Sequence, residues 1–262
     1  MLCTVAIVTA LFGQVMPPKA KVMMLPSTFG IQPGTPFQLA VRMGFPRGWH
    51  TFFANPGMGG SPIKIRWELP AGFKAGPILW PIPKYVPGKR SGYIYDTDIW
   101  LSTDITPPAS FPVGEKKFSF TANVTWQLSR ERSVTQSDTC WVTLEVTRFE
   151  RRNLLFSEVK RSQPIPAPGV PLHASMVGRQ MILTLPLVQA TTDQIRFFPG
   201  DPHYFDAVLP VNTLKGTGME IAFPMSQSAT KPPTRLQGLL VVVSPLGNKK
   251  RSHWIDIPVE KR

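Results

Sequence analysis

Cysteine is nearly absent from this chain: Cys3 and Cys140 are the two in 262 residues. Two cysteines do not build the disulfide framework of a small secreted domain. No pair of cysteines or histidines has the spacing of a zinc site. Acidic residues are also scarce, with 16 Asp and Glu against 29 Lys and Arg, so the net charge is +13. Such an excess asks for an acidic partner or surface. The cations are scattered, however, densest at Lys84 to Arg90, Arg148 to Arg161 and Lys249 to Arg251. No basic helical stripe and no aromatic-rich RNA motif accompanies them, so nucleic acid is not expected as a partner. A Gly-x-Ser-x-Gly elbow is missing too, which excludes the usual hydrolase nucleophile.

Long hydrophobic runs are lacking beyond Met1–Phe12. That run has the length of a signal peptide and is too short to cross a bilayer comfortably. No Lys or Arg precedes it. Cleavage near Gly13 or Gln14 is the expectation, giving a signal peptide over 1–14, a periplasmic location and no membrane span after its removal. Cys3 lies before the apolar run, not after it, which argues against a lipoprotein anchor. Removal of the leader leaves Cys140 alone, and one cysteine cannot close an internal disulfide.

What is present is strand and turn chemistry. Proline (29) and glycine (20) are abundant and no long helical repeat accompanies them, so strands joined by turns are expected. Charged residues make up only 17% and hydrophobic ones 42%, enough for a real core and too little charge for long disordered tails. Phe37, Leu39, Val41 and Met43 alternate with polar neighbours. So do Ile63, Ile65 and Trp67, and Phe118, Phe120, Ala122, Val124 and Trp126. A period of two puts one face into a core and the other into solvent. Pro33-Gly34, Pro56-Gly57 and Pro87-Gly88 mark turns.

The pattern changes at Arg148 to Arg161, where Leu154, Leu155, Phe156 and Val159 suit a short helix. Gln163 to Pro171 then reads as an extended proline-rich linker. Strand patterns resume at Met181–Leu185, Met219–Phe223, Gly238–Val243 and Ile255–Val259. The expected fold is all-β, two tandem immunoglobulin-like β-sandwiches after a signal peptide. The domains are drawn at 20–147 and 172–262, with helix and linker over 148–171.

Few residues invite a chemical role. His50 follows Trp49 with no catalytic partner at motif spacing, so it reads as structural. Asp201, His203 and Asp206 read as a turn beside Pro199-Gly200-Asp201-Pro202, not as metal ligands; no metal or cofactor is expected. Cys140 alternates with Trp141 on the apolar face of a strand, the place of a small buried hydrophobe. Tyr93 and Tyr95, two residues apart, share one sheet face. Arg130 and Arg132 flank Glu131 at the end of the strand that carries Trp126, and with Ser129 and Ser133 they offer donors suited to a carboxylate or a protein loop.

Several motifs occur in one order: Gly48-Trp49-His50-Thr51-Phe52-Phe53-Ala54-Asn55-Pro56-Gly57, Ile63 to Phe73, Gly76 to Pro83, Gly92-Tyr93 and Ala122 to Trp126. Over roughly Lys21 to Val146 the sequence resembles the periplasmic N-terminal region of the thiol:disulfide interchange protein DsbD family. A weaker similarity to a second periplasmic module rests on Phe197 to Pro202 and Lys231 to Gly238. The resemblance implies an immunoglobulin fold, a role in disulfide interchange and cytochrome c-type biogenesis, and thioredoxin-like or membrane redox proteins of the envelope as partners. It also implies a Cys-x-x-x-Cys pair after Trp126, where this chain has Ser129 and Ser133. A hydroxyl cannot replace the thiolate that attacks sulfur. The family's membrane-embedded and thioredoxin-like domains are not within these 262 residues. The family's loop before the Tyr93 strand acts as a cap over the pair, which assigns Tyr93, Tyr95, Trp126, Ser129, Arg130 and Ser133 to a binding surface and no residue to catalysis. The expected function is an exported docking module without thiol chemistry of its own. The alternatives are a protein-disulfide reductase component, working through Cys140, and a structural envelope protein.

Overall fold

A computed structural model describes residues 18–88, 91–165, 169, 171–186, 195–216, 218–243 and 250–260. The expected signal peptide over 1–14, Cys3, Arg90, Lys249 and linker residues 166–168 and 170 lie outside the described residues.

The first half is two four-stranded sheets. One has the order β1 (Lys21–Pro26), β3 (Phe37–Gly44), β9 (Ile99–Thr106), β6 (Lys74–Leu79). The other has β2 (Gly30–Ile31), β11 (Ser133–Val146), β10 (Lys117–Ser129), β5 (Lys64–Glu68). Their facing side chains make the core. Leu39, Val41 and Leu101 come from the first sheet, and Phe120, Ala122, Val124 and Trp126 from the second, all buried. The period-two pattern of β10 is realised residue by residue: Phe118 to Leu128 at even positions are buried, with Lys117, Ser119 and Thr125 exposed between them. Phe120 meets Phe37 and Phe73 edge-on at 5.5 and 5.2 Å. Burying each such ring stabilises the fold by about 2–3 kcal/mol.

A small third sheet, β4 (Thr51–Phe52), β8 (Gly92–Tyr95) and β7 (Lys84–Val86), lies beside the sandwich. The expected helix forms as α1 (Phe156–Ser162). It buries Phe156 and Val159 against Ala40, with Leu25 and Trp100 alongside, while Leu154 and Leu155 stay exposed.

The second half is one seven-stranded sheet. Its order is β14 (Ile195–Pro199), β17 (Arg235–Val243), β18 (Lys250–Glu260), β12 (His173–Val177), β13 (Gln180–Pro186), β16 (Gly218–Pro224), β15 (Val211–Lys215). The β12–β18 pair is parallel and the others antiparallel. In a flat sheet β14 and β16, five strand spacings apart, would stand about 24 Å from each other. Instead the rings of Phe197 on β14 and Phe223 on β16 are 5.3 Å apart. The sheet therefore folds back on itself and encloses a core of its own, with Leu183, Leu240 and Ile255 in the same cluster. The chain is all-β with two sandwich-like cores, as the alternation implied.

The two halves share a continuous apolar seam. Phe53 and Tyr93 of the first half cluster with Phe198, Ala207, Leu239 and Val241 of the second, and Trp254 packs against them. Tyr93 meets Phe198 edge-on at 5.2 Å. Two hydrogen bonds cross the seam, from the Asn55 side-chain amide to the Phe205 carbonyl at 2.8 Å and from the Tyr93 hydroxyl to the Val208 carbonyl. Gly57 is required at this seam. Its φ of 69° lies in the left-handed region, and a Cβ there would sit 2.8 Å from the Ala207 Cβ.

Candidate functional site

The site lies at the tip of the β10–β11 hairpin. The two strands pair in register from Lys117↔Glu145 to Ser129↔Ser133, leaving Arg130, Glu131 and Arg132 as the turn. Backbone hydrogen bonding explains how the two serines meet. The Ser129 amide donates to the His50 carbonyl at 2.8 Å, and the His50 amide donates to the Ser129 carbonyl at 2.9 Å. Both backbone groups of Ser129 thus point away from β11. Ser129 and Ser133 form a non-hydrogen-bonded pair, the type in which opposed side chains come closest. Their hydroxyl oxygens are 2.8 Å apart and share a hydrogen bond.

His50 also accounts for a break in the β10 pattern. By alternation Ser129 belongs with the outward residues Thr125 and Gln127, yet it is buried. The Trp49-His50 segment pairs along that edge of β10 and covers it. Gly48, at φ 82°, leaves space near the Arg130 guanidinium, which passes 3.8 Å from where a Cβ would project. The His50 ring packs edge-on against Phe52 at 5.3 Å. Burial pushes the His50 pKa below its ordinary value, opposed by the charge of Asp96. The imidazole is thereby biased toward its neutral form.

Of the residues assigned from sequence, Ser129, Arg130 and Ser133 come together at this tip, with Arg130 and Ser133 exposed. The structure places Tyr93, Tyr95 and Trp126 elsewhere, inside the core. Tyr93 is at the seam between the halves. Tyr95 donates its hydroxyl to the Pro81 carbonyl at 2.8 Å. Burial raises the pKa of both phenols, so they remain neutral donors. Trp126 packs beneath the hairpin, and its indole N–H has no acceptor among the described residues. At the tip the turn residues and Ser133 are exposed and Ser129 is buried beside them, while the three aromatics belong to the core.

Cys140 is buried on β11, opposite Ala122. It lies seven positions along the strand from Ser133, about 24 Å at strand rise. Burial, with the nearby Asp138 charge, pushes its thiol up to about 11. A protonated, covered thiol is a poor nucleophile. Asp201 and His203 form the expected turn: Asp201 accepts hydrogen bonds from the His203 amide and ring, both at 2.9 Å. No group of three or more metal-ligating side chains occurs among the described residues.

Sequence reasoning did not foresee the role of Asn55. The signal was available in the Asn55-Pro56-Gly57 run, an amide followed by a turn. The side-chain oxygen of Asn55 accepts from the Gly57 amide at 3.1 Å while its nitrogen crosses to Phe205. The Gly48–Gly57 motif thus builds the serine-bearing edge at one end and the seam between halves at the other.

Fold and site define a protein of tandem β-sandwiches whose first unit carries a cross-strand pair of small polar residues at a hairpin tip. Residues 17–134, which include both serines, match the family described as thiol:disulfide interchange protein DsbD, N-terminal. The fold over 90% of the chain is similar to 92% of the N-terminal periplasmic domain of ScsB from Proteus mirabilis, with a TM-score of 0.60 and 15% identity. The likeness in fold therefore extends through the second half. The CupB2 chaperone of Pseudomonas aeruginosa aligns over 85% of this chain and 93% of its own at a TM-score of 0.22 and 8% identity, too low to bear on the fold. No curated protein matches the chain. Among the described residues no helix is long and apolar enough to cross a membrane.

Proposed function

We propose that the chain is an exported docking module of the DsbD N-terminal type, working in the periplasm without thiol chemistry at its hairpin tip. In this reading a signal peptide occupies 1–14, the DsbD-type domain 20–147, the helix and linker 148–171 and the second sandwich 172–262. The observation that carries the reading is the Ser129–Ser133 hydroxyl pair, 2.8 Å apart in a register that brings opposed side chains together. Where the family resemblance implies two sulfurs, two hydroxyls exchange a hydrogen bond. The tip can still dock. Arg130 and Ser133 present guanidinium and hydroxyl groups to a carboxylate or a backbone loop, with Arg132 beside them and the buried Ser129 hydroxyl bonded to Ser133 from behind. The partner class is a thioredoxin-like or membrane redox protein of the envelope.

The test is binding without exchange. The purified chain is titrated by calorimetry with a thioredoxin-like domain whose own cysteines are replaced by serine. The expected result is binding that Ser133→Arg or Arg130→Glu weakens, because both exposed positions lie at the tip. Absence of binding, or binding indifferent to both substitutions, overturns the assignment of the tip as the docking surface. The rival route through Cys140 lacks support, since that thiol is covered and about 24 Å of strand from the tip.

A further inference from the structure

Strand alternation fixes which side chains of the second sheet face the first half. Phe198, Leu239 and Trp254 all take part in the seam, and they are register partners in turn: Phe198↔Leu239 and Leu239↔Trp254. A step of two residues along each strand keeps the same face. That step places Arg196 opposite Val241 and Val241 opposite Ser252; the next places Val243 opposite Lys250. Arg196 and Lys250 therefore stand on the face that packs against the first half, but past the edge of the packed seam, where both are exposed.

A groove of about 650 Å³ opens there. The second half lines it with Arg196, Phe198, Leu209 and Lys250, and β7 supplies Lys84 and Tyr85 from the first. Tyr85 rests on Tyr93, with ring centroids 6.0 Å apart. The volume lies within the range of ordinary ligand sites. Lys84 is already held by Asp96 at 2.6 Å. Arg196 and Lys250 have no ion-pair or hydrogen-bond partner among the described residues, and no carboxylate among those residues lines the groove. Two unpaired cations thus flank an apolar wall of which Leu209 remains half-exposed. By strand geometry their backbones are about 12 Å apart, the span of three to four residues of extended chain.

We infer that this groove docks an acidic peptide segment of a partner protein. Two carboxylates three or four residues apart meet Arg196 and Lys250, and an aliphatic or aromatic side chain between them rests against Tyr85, Phe198 and Leu209. The spacing favours a chain over a small anion, because one small anion does not fill a groove with cations at two ends and an apolar middle. The excess of positive charge on the whole molecule draws such a segment in. The groove is separate from the Ser129–Ser133 tip, so the inference stands or falls independently of the proposed docking there.

The test is a fluorescence-anisotropy titration of the whole chain. Its probe is a labelled ten-residue peptide carrying two glutamates that flank a leucine, with a glutamine counterpart as reference. The expected result is binding of the glutamate peptide that weakens as salt rises, as for exposed charge pairs. Binding falls about ten-fold or more in Arg196→Glu/Lys250→Glu, because two exposed attractions become repulsions. Arg148→Glu/Arg161→Glu makes the same change in net charge on another exposed surface and leaves the affinity unchanged. The neutral pair Arg196→Gln/Lys250→Gln, confirmed as folded by its melting curve, shows a smaller loss in the same direction. Equal weakening in the two charge-reversed chains, no weakening in either, or equal binding of the glutamine peptide overturns the inference. So does displacement of the peptide by a single-stranded oligonucleotide at lower concentration than by unlabelled peptide.

Discussion

The side-chain amide of Asn55 donates to the backbone carbonyl of Phe205 across 2.8 Å, and it ties together residues 150 positions apart. Both groups are buried, so neither has water to turn to. Asn55→Ala leaves the Phe205 carbonyl and the Gly57 amide short of a partner. The expected cost is about 2–4 kcal/mol, the penalty of a buried polar group left unpaired together with the missing turn hydrogen bond. Urea unfolding checks it, as a lower midpoint at an unchanged slope.

Tyr93 separates polar from apolar contributions to the same seam. Tyr93→Phe keeps the ring against Phe53 and Phe198 and removes only the hydroxyl that bonds the Val208 carbonyl. It is expected to cost about 1–3 kcal/mol. Tyr93→Ala also opens a cavity and is expected to cost about 3–5 kcal/mol, the range for losing a buried aromatic ring. The difference between the two variants, read from denaturant midpoints, measures the ring packing.

The hairpin geometry predicts that the serine pair can be converted to a disulfide. The hydroxyls of Ser129 and Ser133 already face each other at 2.8 Å in a non-hydrogen-bonded pair. Such pairs bring Cα and Cβ atoms within disulfide range. Ser129→Cys/Ser133→Cys is expected to oxidise in air to an intramolecular bridge, seen by intact mass as the loss of two hydrogens. Either single variant keeps its thiol. Persistence of two free thiols in the folded double variant contradicts the register described.

His50 gives stability a pH dependence with a definite sign. Its folded pKa is below the ordinary 6.5 because of burial, so the unfolded chain binds a proton first as pH falls. Stability is expected to decline as pH drops below about 6.5 toward the lowered folded value, and to be level above it. His50→Gln removes this slope. Cys140 acts at the other end. Its thiol is held up to about 11 from 9.0, so stability present below 9.0 is lost as pH rises through that interval. Cys140→Ala flattens that limb. Denaturant midpoints measured across the two intervals check both signs.

Much of the fold was legible because alternation is a direct record of which face is buried. Phe118 to Trp126 announced both the strand and its core face, whereas of Leu154, Leu155, Phe156 and Val159, read together as a short helix, only Phe156 and Val159 lie in α1 and are buried. The site was legible only in part. Ser129 and Ser133 are singled out by the family resemblance and Arg130 by lying between them at the end of the Trp126 strand; the three-residue turn that pairs the serines comes from the hairpin register. The burial of Ser129 is not legible, because it depends on His50, a neighbour far earlier in the chain that pairs on the opposite edge. Tyr93 and Tyr95 read as candidates for a cap because tyrosine suits surfaces as well as cores. Their burial comes from Phe198, Val208 and the 81–83 segment, contacts that no local pattern encodes. The basic groove was illegible for the same reason: Lys84, Arg196 and Lys250 are scattered in sequence and adjacent only in the folded chain.

The central claim, docking without thiol chemistry, is tested most directly by mixing the reduced, desalted chain with oxidised thioredoxin and following thioredoxin's thiols by alkylation and intact mass. The account predicts that no thiols appear on thioredoxin and that Cys140 stays unlabelled until the chain is unfolded. New thiols on thioredoxin, or a mixed disulfide through Cys140 in the folded protein, would contradict it.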